Sequence, residues 1–171
     1  MRTLCFFCLL IIVGPQAAVA QDYAKDVQDI DTIIEVLYAV ISGEQNEARD
    51  WDRFQNLFIP EARLIPTRKG EEGKTLYTIL TPAEYVERFG SRLEENGFYE
   101  KEIHRVTETY GSLCHIFTTY ESYHSAADTE PYVRGINSIQ LMHDGDRWWI
   151  IQIYWLGETE ENPLPGKYLP N

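Results

Sequence analysis

The sequence predicts an α+β domain, and three observations predict it. Apolar residues recur at helical spacing over residues 27–41 and again after Thr81. From Tyr99 onward the apolar period drops to two. Turn signals then punctuate this second half at Gly111-Ser112, Ala127–Pro131 and Asp144-Gly145. Helices first and a meander of long strands afterwards is the pattern of helices gathered on one face of a mostly antiparallel sheet.

The elements follow in order. Val27, Ile30, Ile34, Leu37 and Ile41 form one apolar stripe of a first helix. Asp29, Asp31 and Glu35 suit its dipole at the start, and Gly43 stops it. After a polar loop, Glu44–Arg49, Asp50 is an N-cap for a short second helix that turns Trp51, Phe54 and Phe58 inward and ends at Pro60. Ala62–Pro66 reads as a short strand, Thr67–Lys74 as a charged loop, and Leu76–Leu80 as another short strand. Thr81-Pro82-Ala83-Glu84 combines an N-cap, a proline at the first helical position and a capping-box glutamate. Tyr85, Phe89 and Leu93 mark the inner face of this third helix, which stops at Gly97.

Four long strands follow, near Tyr99–Tyr110, Leu113–His124, Tyr132–His143 and Arg147–Leu156. Strict alternation sorts the last into a row of Trp149, Ile151, Ile153 and Trp155 and a row of Trp148, Ile150, Gln152 and Tyr154. In the preceding strand Val133, Ile139 and Leu141 oppose Arg134, Ser138, Gln140 and Met142. The first-named rows are the expected interior. The other row of the last strand is apolar enough to need a cover, and a homodimer through the outer sheet face is the simplest one.

Residues 1–20 read as an export signal: Arg2, then an unbroken apolar run Leu4–Val13, then Ala18-Val19-Ala20 as a cleavage site. The run is far shorter than the roughly 20 residues that span a bilayer. The expected organisation is a cleaved signal over 1–20, one domain over 21–157, and a proline-containing tail over 158–171. The expected location is outside the cytoplasm, in periplasm or medium. Net charge is −12 for the whole sequence, and one unit more negative without Arg2. That acidity disfavours nucleic acid and anionic lipid surfaces as partners. Loss of Cys5 and Cys8 with the signal leaves Cys114, inside an apolar strand where a thiol is a small hydrophobe.

Three stretches carry a family resemblance. They are Asp50-Trp51-Asp52-Arg53-Phe54 through Leu57–Leu64, then Arg134-Gly135-Ile136-Asn137-Ser138-Ile139-Gln140-Leu141, and Asp144-Gly145-Asp146-Arg147-Trp148-Trp149-Ile150-Ile151. Together with element order, they make nearly all of residues 23–157 resemble the nuclear-transport-factor-two-like superfamily, in its SnoaL-like, polyketide-cyclase-like branch. The resemblance implies a cone-shaped, cystatin-like fold: three helices packed on a strongly bent sheet, with an apolar pocket at one end. It includes isomerases, dehydratases and cyclases as well as proteins without chemistry, so it does not settle activity.

His104 matches the strand position at which dehydratase-like members carry a histidine, and the resemblance makes it the candidate catalytic base. If His104 faces inward, Val106, Glu108 and Tyr110 share its side of the strand and a nearby carboxylate could orient it; the alternative is a histidine on the outer face of the sheet or one satisfied in the core. Asn137, on the presumed inward row, offers a donor and an acceptor to a ligand oxygen, or else bonds the backbone. Tyr38 and Tyr120 could add phenolic donors, or pack with a wet tip. Arg63 and Arg134 could hold a ligand carboxylate, or pair with acidic neighbours such as Glu61 and Glu121. Trp51 and Trp155 are walls of the core or of the pocket.

His143-Asp144-Gly145-Asp146 lies on a hairpin turn without the ligand count of a calcium loop, and no glycine-rich phosphate loop is present. No metal and no cofactor are expected. Three readings remain: an exported protein binding a small apolar or amphipathic molecule, a lyase or isomerase with His104 as base, or an interaction domain whose cone is filled by side chains.

Overall fold

Asp29 opens the first helix by accepting the Thr32 amide at 2.8 Å, and α1 runs Ile30–Ile41. Val27 precedes it in a short 3-10 turn, Ala24–Val27. The computed structural model describes residues 23–170; the expected signal, its cleavage point, Cys5 and Cys8 lie outside the described residues. Arg49 closes the other end of α1, its guanidinium donating to Ile41 O at 3.2 Å and Gly43 O at 2.6 Å. A cation there answers the unpaired carbonyls of a helix C-terminus.

Helix α2 is Trp51–Asn56, capped by Asp50, which accepts from Arg53 N at 2.9 Å. It is shorter than the spacing predicts, because Phe58 already begins strand β1, Phe58–Lys69. Pro60 is therefore a strand residue rather than a helix stop. It fits there because the register of β1 jumps between Phe58 and Arg63, where no ladder hydrogen bond is asked of it. Strand β2 is only Thr75–Tyr77. Helix α3, Pro82–Asn96, starts with both halves of the capping box in place.

The last four strands are β3 Tyr99–Tyr110, β4 Leu113–Tyr123, β5 Val133–His143 and β6 Trp148–Gly157. The sheet order is β2-β1-β6-β5-β4-β3, antiparallel except where β1 runs parallel to β6. Ile33, Ile34 and Leu37 of α1 are buried with Ile116, Ile139, Leu141 and Ile150 of the sheet, and these make the core. Cys114 is a buried free thiol in the same cluster, and burial pushes its pKa up.

Two bulges bend the sheet and reset its rows. In β3, Glu102 pairs with Tyr120 but His104 pairs with Thr119, so Ile103 is an extra residue. In β6, Gln152 pairs with Gln140 but Ile150 pairs with Leu141, so Ile151 is another. The second bulge corrects the expected rows of the last strand. Trp148 and Ile150 join Ile153 and Trp155 in packing on the core, and Trp149 turns out opposite Met142. In β5 the expected interior row holds, with Ile139 and Leu141 buried.

The tail returns over the outer face of the sheet. Its 3-10 turn Gly166–Tyr168 puts the Tyr168 ring 4.9 Å from Phe117, and Tyr168 O accepts from Thr119 Oγ1 at 2.6 Å. Among the described residues no helix is long and apolar enough to cross a membrane.

Candidate functional site

Between α1, α3 and the concave face of the sheet lies a cavity of about 530 Å³. The apolar faces that sequence spacing assigns to α1 and α3 supply its walls: Leu37 and Ile41 from one, Tyr85, Phe89 and Leu93 from the other. The inner row of α3 thus faces a space rather than a packed core. Phe54 and Trp155 complete the aromatic lining, with Tyr85 stacked on Phe54 at 5.6 Å and edge-on to Trp155 at 6.3 Å. Exposed Arg92, Asn96, His124 and Tyr132 surround the mouth, and the last two stack at 4.1 Å.

The polar groups converge on one side. Asn137 Nδ2 donates to the Tyr38 phenol at 3.0 Å, and that phenol lies 3.2 Å from Thr118 Oγ1. Thr118 Oγ1 donates in turn to Glu102 Oε1 at 2.6 Å. Beside this chain stands Glu100, whose carboxylate accepts from Ser122 Oγ at 3.0 Å and, at 3.5 Å, from Asn137 Nδ2. Ser42 links helix to strand, accepting Glu100 N at 3.0 Å while donating to Tyr38 O at 2.7 Å.

Glu100 is the electrostatic centre of the cavity. Burial pushes its carboxyl up to about 7, against the smaller opposing effect of its Ser122 and Asn137 hydrogen bonds. No Arg, Lys or His forms an ion pair with it among the described residues. The phenols of Tyr38, Tyr85 and Tyr120 are all raised, first by burial and next by the Glu100 charge.

Of the residues that the sequence singles out, the fold brings Tyr38, Tyr120, Asn137 and Trp155 together in this cavity. His104 is not among them, and this is the main correction. Its partner Thr119 contacts the tail, and Val106 and Glu108 on its row line a shallow outer groove with His115, Phe117 and Tyr168. An unbroken alternation would put His104 on the same face as Glu100 and Glu102; the extra residue Ile103 turns it to the other side. The expected row of His104, Val106, Glu108 and Tyr110 is real, but it belongs to the convex face.

Arg63 also sits on the outer row, exposed and opposite Gln152, and donates to the backbone oxygens of Glu61 and Ala62. Arg134 pairs with Glu158 at 2.9 Å. Trp51 braces α2 against α3, its indole N–H donating to Glu94 Oε1 at 2.9 Å, and does not line the cavity. Sequence reasoning missed Glu100, Ser122 and Tyr85. The signal available for Glu100 was its place two residues before Glu102 on a strand whose partner row carries Ser122 and Tyr120. Among the described residues no group of three or more His, Cys, Asp or Glu side chains is arranged to hold a metal ion.

No family model matches the chain, and no curated protein matches it. Solved structures do. A nuclear-transport-factor-two-like protein of unknown function from Pseudomonas putida superposes with a TM-score of 0.56 at 10% identity, over 82% of this chain and 93% of that one. A cystatin-like protein of unknown function from Nostoc punctiforme gives 0.55 at 10% identity, over 75% and 87%. A protein provisionally called a ketosteroid isomerase, from Parabacteroides distasonis, gives 0.52 at 11% identity, over 80% and 98%. Identities this low speak to fold and not to activity. With its three helices on the concave face of a bent six-stranded sheet, the chain has the cystatin-like, nuclear-transport-factor-two-like fold.

Proposed function

We propose that this protein binds a small, largely apolar molecule inside the cone, with its polar end against Glu100, Asn137 and Tyr38. One observation carries the reading: a cavity of about 530 Å³ with aromatic and aliphatic walls and a single convergent polar cluster. That is the size and make-up of small-molecule sites, which combine apolar walls with a few placed polar groups. An interaction domain with a filled cone would leave no such space. Native mass spectrometry of protein purified from its own cell tests this, and a retained small molecule is the expected result. Repeated preparations of bare protein, together with no thermal stabilisation by any member of a broad ligand library, would sink the proposal.

A second reading is proton transfer at a carbon next to a ligand carbonyl. The observation that favours it is a carboxyl in the cavity poised near neutral pH, since an acid–base group works best when its pKa matches the working pH. Glu100, not His104, is then the base. A pH–rate profile with no limb near neutrality, or full activity in Glu100→Gln, removes this reading.

We also propose export of the chain and pairing of two copies across the outer sheet face. Export is supported by the sequence of residues 1–20; the N-terminus of the natural protein, read by mass spectrometry, tests it, with Gln21 expected first. Pairing is supported by exposed Val106, Leu113, Met142, Tyr154 and Leu156 on the convex side. Light scattering after gel filtration tests it, and a monomer at high concentration would overturn it.

A further inference from the structure

Resting on the small-molecule reading above, we propose that the ligand carries a protonated amine: the pocket is built for a hydrophobic organic cation, with its ammonium group on Glu100 inside a ring of aromatic side chains. Among the described residues, Glu100 lacks a charged partner and part of its hydrogen bonding. A carboxylate has about four acceptor sites, and here two neutral donors occupy it, Ser122 Oγ at 3.0 Å and Asn137 Nδ2 at 3.5 Å. No cationic side chain pairs with it among the described residues. A charge taken out of water without a counter-charge is costly; a proton relieves it below about pH 7, and above that the partner the site lacks is a cation.

The surroundings agree on the sign. Sharing the cavity with Glu100 are Tyr38 from α1, Tyr85 from α3, Tyr120 and Ser122 from β4, Asn137 from β5 and Trp155 from β6, and Glu102 follows two residues on along its own strand. His124 and Tyr132 stand where the chain leaves β4 for β5, at the mouth. Of these, none is a fixed cation; Glu102 is already held by Arg105 at 2.5 Å and by Thr118. Arg92, the one basic residue of the lining with a permanent charge, is exposed at the rim and acts on Tyr132, not on Glu100. Phe54, Phe89, Tyr85, Tyr120 and Trp155 turn aromatic surface toward the space, and aromatic faces attract cations. A net charge of −12 raises the local concentration of cations over anions.

Where Glu100 is ionised, a neutral ligand leaves its carboxylate without a counter-charge, and an anionic one is repelled by it. An ammonium supplies both the charge and three donors. Spare acceptor capacity on Glu100 and on the Tyr38 oxygen then takes two of them.

The test compares three probes of one skeleton, 2-naphthylmethylamine, 2-naphthylmethanol and 2-naphthoate, by calorimetry on the whole protein at about pH 8. The amine is expected to bind at least tenfold more tightly than the alcohol, about 1.4 kcal/mol, and the acid most weakly. Glu100→Gln keeps the size of the side chain and an acceptor for Asn137 Nδ2, with the Ser122 hydroxyl turned to accept from the new amide, and is expected to bring amine and alcohol within about twofold of each other. If that variant does not fold, the wild type still decides: amine affinity should fall at least about fivefold from pH 8 to 5 as Glu100 takes up its proton, while alcohol affinity stays flat. Alcohol equal to amine, or an amine preference that survives Glu100→Gln, overturns this inference and leaves the small-molecule reading standing. Failure of all three probes overturns this inference, and the small-molecule reading falls with it only if native protein also carries no retained molecule and no member of a broad ligand library stabilises it.

Discussion

His104 stands directly opposite Thr119, while Glu102, two residues earlier, stands opposite Tyr120. The single extra residue between them moves a histidine from the cavity side of the sheet to its back. His104→Ala is therefore expected to leave ligand affinity unchanged and stability within about 0.5 kcal/mol of the wild type, as for other substitutions outside a core or network. Calorimetric titration and urea unfolding check both. A large loss of binding with an intact fold would return His104 to the site.

The polar chain Asn137–Tyr38–Thr118–Glu102 is internally satisfied, so breaking it at the phenol should be felt on both sides. Tyr38→Phe leaves Asn137 Nδ2 with only the long 3.5 Å contact to Glu100 and takes a partner from Thr118. The expected cost is about 1–3 kcal/mol, the range for orphaning a buried polar group. The double variant with Asn137→Leu should recover part of it, because both ends of the bond are then gone. Urea denaturation of the three variants measures the cycle, and strict additivity would show that the bond is not formed.

Helix starts and hairpins were legible because their signals are local. The Thr81–Glu84 box and the Asp144-Gly145 turn each form within a few residues and need no tertiary help. Asp144 shows why: it accepts from Asp146 N and Arg147 N, both at 2.9 Å, within its own turn. The bulges were not legible. Ile103 and Ile151 suit a regular strand as well as a bulge, so composition carries no mark of the extra residue. Glu100 was hidden for a different reason. Its burial arises only after α1, β4 and β5 have docked around it, elements that also bring Tyr38, Ser122 and Asn137 into the same cavity. Tyr120 and Asn137 were within reach, since the inner row of β5 is regular and Asn137 sits in it beside Ile139.

Glu100 also predicts a pH effect on stability. Its native pKa is about 7 against an ordinary value of 4.5, so between those limits the folded state holds a proton that the unfolded state has released. Below about pH 4.5 the group is neutral in both states and contributes nothing; above about 7 it is charged in both and the fold carries the desolvation cost. Wild-type stability should thus fall relative to Glu100→Gln as pH rises through this window, by up to about 3 kcal/mol. Denaturant unfolding of both proteins across the range isolates the effect from all other carboxylates. A constant difference would mean the carboxyl is well solvated.

Gly135 sets the shape of the pocket through Tyr120. A Cβ at this position would lie 2.5 Å from Leu156 O and 2.5 Å from the Tyr120 hydroxyl, so the phenol occupies the space that a side chain would need. Gly135→Ala must push the ring toward the cavity or part β5 from β6. The expected result is a destabilisation of about 1–3 kcal/mol, as for other overpacked sites, with weaker ligand binding. Pairing it with Tyr120→Leu, which clears the hydroxyl, should restore stability in part. Thermal unfolding reads this out, and an unaffected single variant would show that the ring is free to leave.

The tail and the pocket lie on opposite faces of the sheet, so they should be separable. Truncation after Leu164 removes the Tyr168 ring from Phe117 and the acceptor for Thr119 Oγ1. A loss of about 1–2 kcal/mol is expected from the apolar contact and the hydrogen bond together. Ligand affinity should not change, because none of these residues touches the cavity. Self-association should increase, since uncovered Phe117 extends the exposed row of Val106, Leu113 and Met142 on the same face. Sedimentation of the truncated and full chains decides the last point: a shift to larger species on truncation is expected, and an unchanged profile would mean that the tail shields no association surface.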